Sequence, residues 1–110
     1  MPKTSHSEPM DAIALRTLEV DGTPQFHIRI GRPVLAPEGD CWFCAYEIVG
    51  PHTTRRGQFG GEDSMQALVN ALYGASIDVK VSAENASGRL SWLGDAQDFG
   101  LPSPPTRPPP

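Results

Sequence analysis

The chain is short of basic residues, of cysteine and of long apolar runs, and each shortage excludes something. Nine Lys and Arg stand against thirteen Asp and Glu, so the 110 residues carry a net charge of −4. A nucleic-acid partner needs a dense basic surface to displace counterions from phosphates. The single basic doublet, Arg55-Arg56, is too little for that. No run approaches the roughly 20 apolar residues that span a bilayer. The stretch from Met1 to Asp11 holds one lysine among Ser, His, Glu and Pro and lacks the apolar segment of a signal peptide. We therefore expect a cytoplasmic protein that binds neither nucleic acid nor membrane.

Two cysteines, Cys41 and Cys44, are expected to be reduced in that compartment. Their Cys-x-x-Cys spacing is that of a redox or metal-binding pair. A redox thiol sits at a helix N-terminus, which lowers its pKa, whereas this pair lies in a strand-like context. Residues three apart on a strand point to opposite faces. A structural zinc site needs four ligands, and His6, His27 and His52 have no accompanying spacing. The cysteines are read as structural, with no metal and no cofactor. Gly57, Gly60 and Gly61 are not followed by Gly-Lys-Ser or Gly-Lys-Thr, so they form no phosphate loop. There is no nucleophile-elbow arrangement either. No catalytic residue is assigned, and an enzyme is the less favoured reading.

What is present is one folding unit between two polar ends. Residues 1–10 read as a flexible arm. Residues 102–110 are a proline-rich tail, expected to be disordered with a polyproline II bias. In it Pro102, Pro105 and Arg107 match the short pattern P-x-x-P-x-R. Residues 11–101 form a single α+β domain.

Within that domain the period is first two. Phe26, Ile28 and Ile30 alternate with Gln25, His27 and Arg29, as in a half-buried strand. Ala12 to Val20 is also strand-like. Its phase shifts from Ile13 and Leu15 to Leu18 and Val20, which predicts a bulge near Arg16-Thr17. Asp21-Gly22 is a hairpin turn signal between the two runs. Gly31 to Asp40 reads as a loop. Cys41 to Val49 is a third strand, apolar on both faces and therefore central. A weaker fourth strand runs from about Thr53 to Phe59, and Gly60-Gly61 breaks the sheet.

A helix follows, capped by Asp63 or Ser64. Met65, Leu68, Val69, Leu72, Ala75, Ser76 and Val79 share one face at 3.6 residues per turn. Ile77, Val79 and Val81 also alternate as a strand would. The helix is favoured to about Ala83, because its apolar face stays continuous. Arg89 to Leu93 is a short last strand. The expected fold is an antiparallel β-meander of about four strands, one long amphipathic helix packed on one face, and a short C-terminal strand.

Several stretches resemble an uncharacterised family of small bacterial proteins, a domain of unknown function. They are Ile30-Gly31-Arg32-Pro33, then Trp42 and Cys44 followed by Tyr46-Glu47-Ile48-Val49-Gly50-Pro51. Asp63-Ser64-Met65-Gln66-Ala67-Leu68, Gly88-Arg89-Leu90-Ser91-Trp92-Leu93-Gly94 and Asp98-Phe99-Gly100-Leu101-Pro102 complete the pattern. The resemblance covers about two thirds of the chain. It implies a bacterial source and brings no activity, cofactor or catalytic residue.

Two functional readings follow. In the favoured one the chain is a non-catalytic protein-interaction module of accessory or immunity type. It contacts a protein partner, or a second copy as a homodimer, through the sheet face or a second helix stripe of Tyr73, Ile77 and Val81. The alternative is a small ligand-binding domain or enzyme, with a pocket between helix and sheet near His27, Arg29 and Trp42.

Overall fold

The structure is a computed structural model that describes residues 10–103. Most of the arm expected over 1–10, and of the tail expected over 102–110, lies outside the described residues. The chain order is β1 (Ala12–Val20), β2 (Thr23–Gly31), β3 (Val34–Leu35), β4 (Trp42–Val49), β5 (Thr54–Gly61), α1 (Ser64–Lys80), α2 (Ala83–Ala86) and β6 (Leu90–Ser91).

β1 and β2 form a hairpin closed by the two residues Asp21 and Gly22. Both have positive φ, 54° and 81°, as a tight turn matched to strand twist requires. β4 pairs with β5 along its whole length, from Trp42 opposite Gly61 to Val49 opposite Thr54. Its other edge is shared by β2, opposite Tyr46 to Val49, and β3, opposite Trp42 and Phe43. β3 therefore continues β2 along that edge, and the expected loop at 31–40 contains this short strand. β6 pairs with Glu19 and Val20 at the far side of β1. Laterally the antiparallel sheet reads β5-β4-β2-β1-β6. β4 is internal, as its two apolar faces suggested.

The bulge expected at Arg16-Thr17 is absent. Pairing is regular from Ala14 to Leu18, and the irregularities fall between Ala12 and Ala14 and between Leu18 and Glu19. Ala14, Arg16, Leu18 and Val20 all face the core side, while Leu15 points to the other face and stays exposed. The apparent phase shift arose because Arg16 is a charged residue turned inward.

α1 covers β4 and β5. Asp63 is its N-cap, accepting from the Gln66 N–H at 2.7 Å, and Val81 is its C-cap. Ser82 then caps the short α2. The segment 77–80 is thus helical, and the helix stops short of Ala83. Its buried face agrees with expectation at Ala75, Ser76 and Val79 and departs from it elsewhere. Ala67, Ala71, Gly74, Ala75, Asp78 and Val79 are buried, Leu68 and Leu72 are only packed against the core margin, and Met65 is exposed. The reason is distance. A Cβ on Gly61 would lie 2.4 Å from the Ala67 backbone nitrogen, and one on Gly74 would lie 2.1 Å from the Phe59 ring. At such close approach only small side chains fit between helix and sheet. Gly60 and Gly61 accordingly do not break β5; they are its last two residues.

The core joins Leu18, Val20, Phe26, Ile28, Ile30, Cys44, Tyr46 and Ile48 from the sheet with the small residues of α1, Leu90 and Phe99. The helix leaves the β1 side of this face uncovered, and the C-terminal segment fills part of it. Arg16 organises that cover. Its Nη1 donates to the Phe99 and Gly100 carbonyls at 3.0 and 2.8 Å, and its guanidinium stacks 4.1 Å from the Trp92 ring centroid. The expected strand at Arg89–Leu93 shrinks to Leu90–Ser91, because Trp92 pairs back onto Asp95.

Two buried carboxylates tie the helices to the β4–β5 hairpin. Tyr46 Oη donates to Asp78 Oδ2 at 2.5 Å, and Arg55 lies 3.4 Å from the other Asp78 oxygen. Glu84, 1% exposed, accepts from the His52 N–H at 2.6 Å and from the Thr53 hydroxyl.

Candidate functional site on the open face of the sheet

One face of the sheet carries no helix. The strand registers set its rows. Thr17, His27, Val49 and Thr54 form one row; Leu15, Arg29, Glu47 and Arg56 form the next. Gly31, Ala45 and Gln58 follow, then Val34, Phe43 and Gly60. In the second row Glu47 lies between two arginines, 3.7 Å from Arg29 and 2.9 Å from Arg56. His27 Nδ1 and the Thr17 hydroxyl are 3.0 Å apart. These are the cross-strand pairs that normally stabilise a solvated sheet face.

The lower half of this face is different. Gly31 and Ala45 have almost no side chain, so the surface sinks there into a cavity of about 210 Å³. Val34 and Phe43 wall one side and Met10 another. Val34 is 57% and Phe43 36% exposed. Arg32 and Asp11, hydrogen-bonded to each other at 2.8 Å, stand at the rim. An apolar hollow ringed by polar groups is the form of an anchor-accepting pocket at a protein interface.

The residues expected to line one helix–sheet pocket are not together. His27 and Arg29 lie on the open face, whereas Trp42 lies on the helix side, packed at the margin of the core. The cause is strand parity: in β2, His27 and Arg29 sit opposite Val49 and Glu47, which alternate along β4 with Trp42, Cys44 and Tyr46 and so point to the other face. The helix stripe stands as a unit of sequence but not of exposure. Tyr73 is half-buried, while Ile77 and Val81 are exposed.

Cys41 and Cys44 are both free thiols. Cys44 is buried and its Sγ donates to the Gly31 carbonyl at 3.2 Å. Burial pushes the pKa of each thiol up, and at Cys41 the nearby Asp40 carboxylate adds to that. Raised values are the reverse of an activated redox thiol. Among the described residues no three His, Cys, Asp or Glu side chains converge as metal ligands. No described helix is long and apolar enough to cross a membrane.

Sequence reasoning passed over Gly31 with Ala45, and Arg16. The first pair becomes visible only once the register places two small residues side by side. For Arg16 a signal existed: it interrupts an otherwise apolar inward series of Ala14, Leu18 and Val20.

The fold and surface define an α+β domain with a helix on one face of an antiparallel sheet and an uncovered face bearing an apolar hollow. Residues 14–103 match the family model of the Domain of unknown function (DUF6968). The match spans most of the chain, and the protein belongs to that family. No curated protein and no solved structure matches it.

Proposed function

We propose that the protein is a non-catalytic interaction module of accessory or immunity type, acting in the bacterial cytoplasm, and that the open sheet face docks a protein partner. The observation that carries this reading is the hollow over Gly31 and Ala45, walled by exposed Val34 and Phe43. Filling a solvent-open apolar hollow with a partner's side chain is favourable by about 25 cal/mol for each Å² of apolar surface removed from water. Arg29 and Arg56 share one carboxylate, Glu47. This leaves the adjoining row with a net positive charge, suited to an acidic residue beside the partner's apolar anchor. The same reading assigns the exposed helix pair Ile77 and Val81, with Tyr73, to self-association in a homodimer.

The test is quantitative capture from native-cell lysate with wild type and with Ala45→Arg, which fills the hollow from the open face. Both proteins should melt at similar temperatures. A stoichiometric partner held by wild type and lost by the variant supports the reading. A partner held equally by both, or by neither, refutes docking in the hollow.

A further inference from the structure

A second cavity, of about 250 Å³, lies on the opposite side of the sheet, between its inner face and α1. Because α1 sits over β4 and β5, the inner face of β1 and β2 is roofed incompletely. Ile28 and Ile30 form the floor, Leu72 and Leu101 the walls, and Ala14 the exposed mouth. Arg16 also lines it. The walls are aliphatic, and the volume falls just below the roughly 300–1,000 Å³ of ordinary ligand pockets.

Arg16 differs from its counterparts. Among the described residues Arg29, Arg32, Arg55, Arg56 and Arg89 each have a carboxylate partner. Arg16 has none there, although it is half-buried on the core side. Nη1 serves the Phe99 and Gly100 carbonyls. Nε and Nη2 have no hydrogen-bond partner among the described residues and, not being buried, are open to solvent and to a ligand. A planar guanidinium with donors to spare is matched to a carboxylate, which it binds by paired, charge-assisted hydrogen bonds.

We infer that this cavity binds a small monocarboxylate with an apolar body, the hydrocarbon lying on Ile28, Ile30 and Leu72 and the carboxylate meeting Arg16. The assignment is independent of the open-face reading, since the hollow and this cavity lie on opposite sides of the sheet and have no lining residue in common. The carboxylate supplies the negative charge that Arg16 lacks, and the aliphatic floor rejects a strongly polar body.

The probe is octanoate, titrated by calorimetry into the full chain, with 1-octanol as its uncharged counterpart. Methyl NMR of Ile28, Ile30, Leu72 and Leu101 locates the site. Saturable octanoate binding is expected, with shifts at those methyls and octanol at least about tenfold weaker, the scale of one charged hydrogen bond. Arg16→Met should erase the preference for the acid. Because that substitution also frees the C-terminal segment, Ala14→Trp gives an independent arm. Ala14 is exposed at the mouth, so the indole blocks entry without disturbing the core, and octanoate affinity should fall at least about tenfold. Absence of saturable binding, equal affinity for octanol, shifts confined to other methyls, or undiminished binding in a folded Ala14→Trp protein each overturns the assignment.

Discussion

Gly60 and Gly61 are adjacent in β5, yet alanine at the two positions should have opposite consequences. A Cβ on Gly61 would meet the Ala67 nitrogen at 2.4 Å, the Gln66 carbonyl carbon at 2.8 Å and the Ala67 Cα at 2.9 Å. All three are backbone atoms of the first turns of α1, so no side chain can swing aside. The helix must lift from the sheet, and Ala67, Ala71 and Ala75, each fully buried, lose contact together. Overpacking of this kind costs about 1–3 kcal/mol, and the upper end applies where backbone must move. For a domain of this size that corresponds to a fall in Tm of roughly 10–20 °C. On Gly60 the nearest atom is the tip of the Phe43 ring, at 3.3 Å on the open face. That ring can yield, and alanine lowers the entropy of the unfolded chain, so Gly60→Ala should be neutral or stabilising by up to about 1 kcal/mol. Urea unfolding of the two variants beside wild type measures the difference. Equal stability of Gly60→Ala and Gly61→Ala would refute the close helix–strand approach on which the whole packing argument rests.

Other expected outcomes follow from the buried polar groups and the exposed stripe. Burial opposes the charge on Glu84, but hydrogen bonds from Thr53 and the His52 N–H outweigh it and hold the carboxyl below its ordinary 4.5. Its stabilising contribution is therefore present above pH 4.5 and lost as pH falls through the lower folded value; Glu84→Gln should flatten that part of an acid-unfolding profile, and an unchanged profile would contradict it. Tyr46 is pushed up to about 12, first by burial and then by its bond to Asp78. Its contribution should be complete below pH 10 and lost between 10 and 12, a slope in alkaline unfolding that Tyr46→Phe should remove. Cys44→Ser keeps a donor for the Gly31 carbonyl, so denaturant unfolding should report a cost in the lower half of about 1–3 kcal/mol; a larger loss would contradict the hydrogen-bond assignment. Light scattering should show wild type dimerising with concentration and Ile77→Glu remaining a folded monomer; a wild type monomeric at high concentration excludes the stripe as a dimer contact.

The elements easiest to read from the sequence were those whose signal is local. Asp21-Gly22 specifies a turn with two positive φ values whatever surrounds it, and Asp63 caps α1 through its own side chain. The central place of β4 was readable because apolar residues on both faces have nowhere else to go. The misplaced helix face and the unseen hollow share one cause. A hydrophobic pattern weights large side chains, and this helix packs through small ones. The large residues Met65, Leu68 and Leu72 drew the expected face toward the margin of the true contact, while Ala67, Ala71 and Gly74 carried little signal. The same bias hid the hollow, whose floor is Gly31 and Ala45; the apparent bulge has a separate cause, a charged Arg16 turned inward among apolar residues. What large side chains do is written along one strand or one helix. What small ones permit depends on which strand lies opposite. Close approach at Gly61, the hollow at Gly31 and the cavity under Leu72 are therefore properties of register and layer spacing. His27, Arg29 and Trp42 are the converse case. Each has the chemistry of a site residue, and each was conspicuous for that reason, yet strand parity alone sends Trp42 to the face opposite the other two. In this chain the candidate sites lie where side chains are missing, and a pattern of residue types registers a missing side chain only after the partner strand is known.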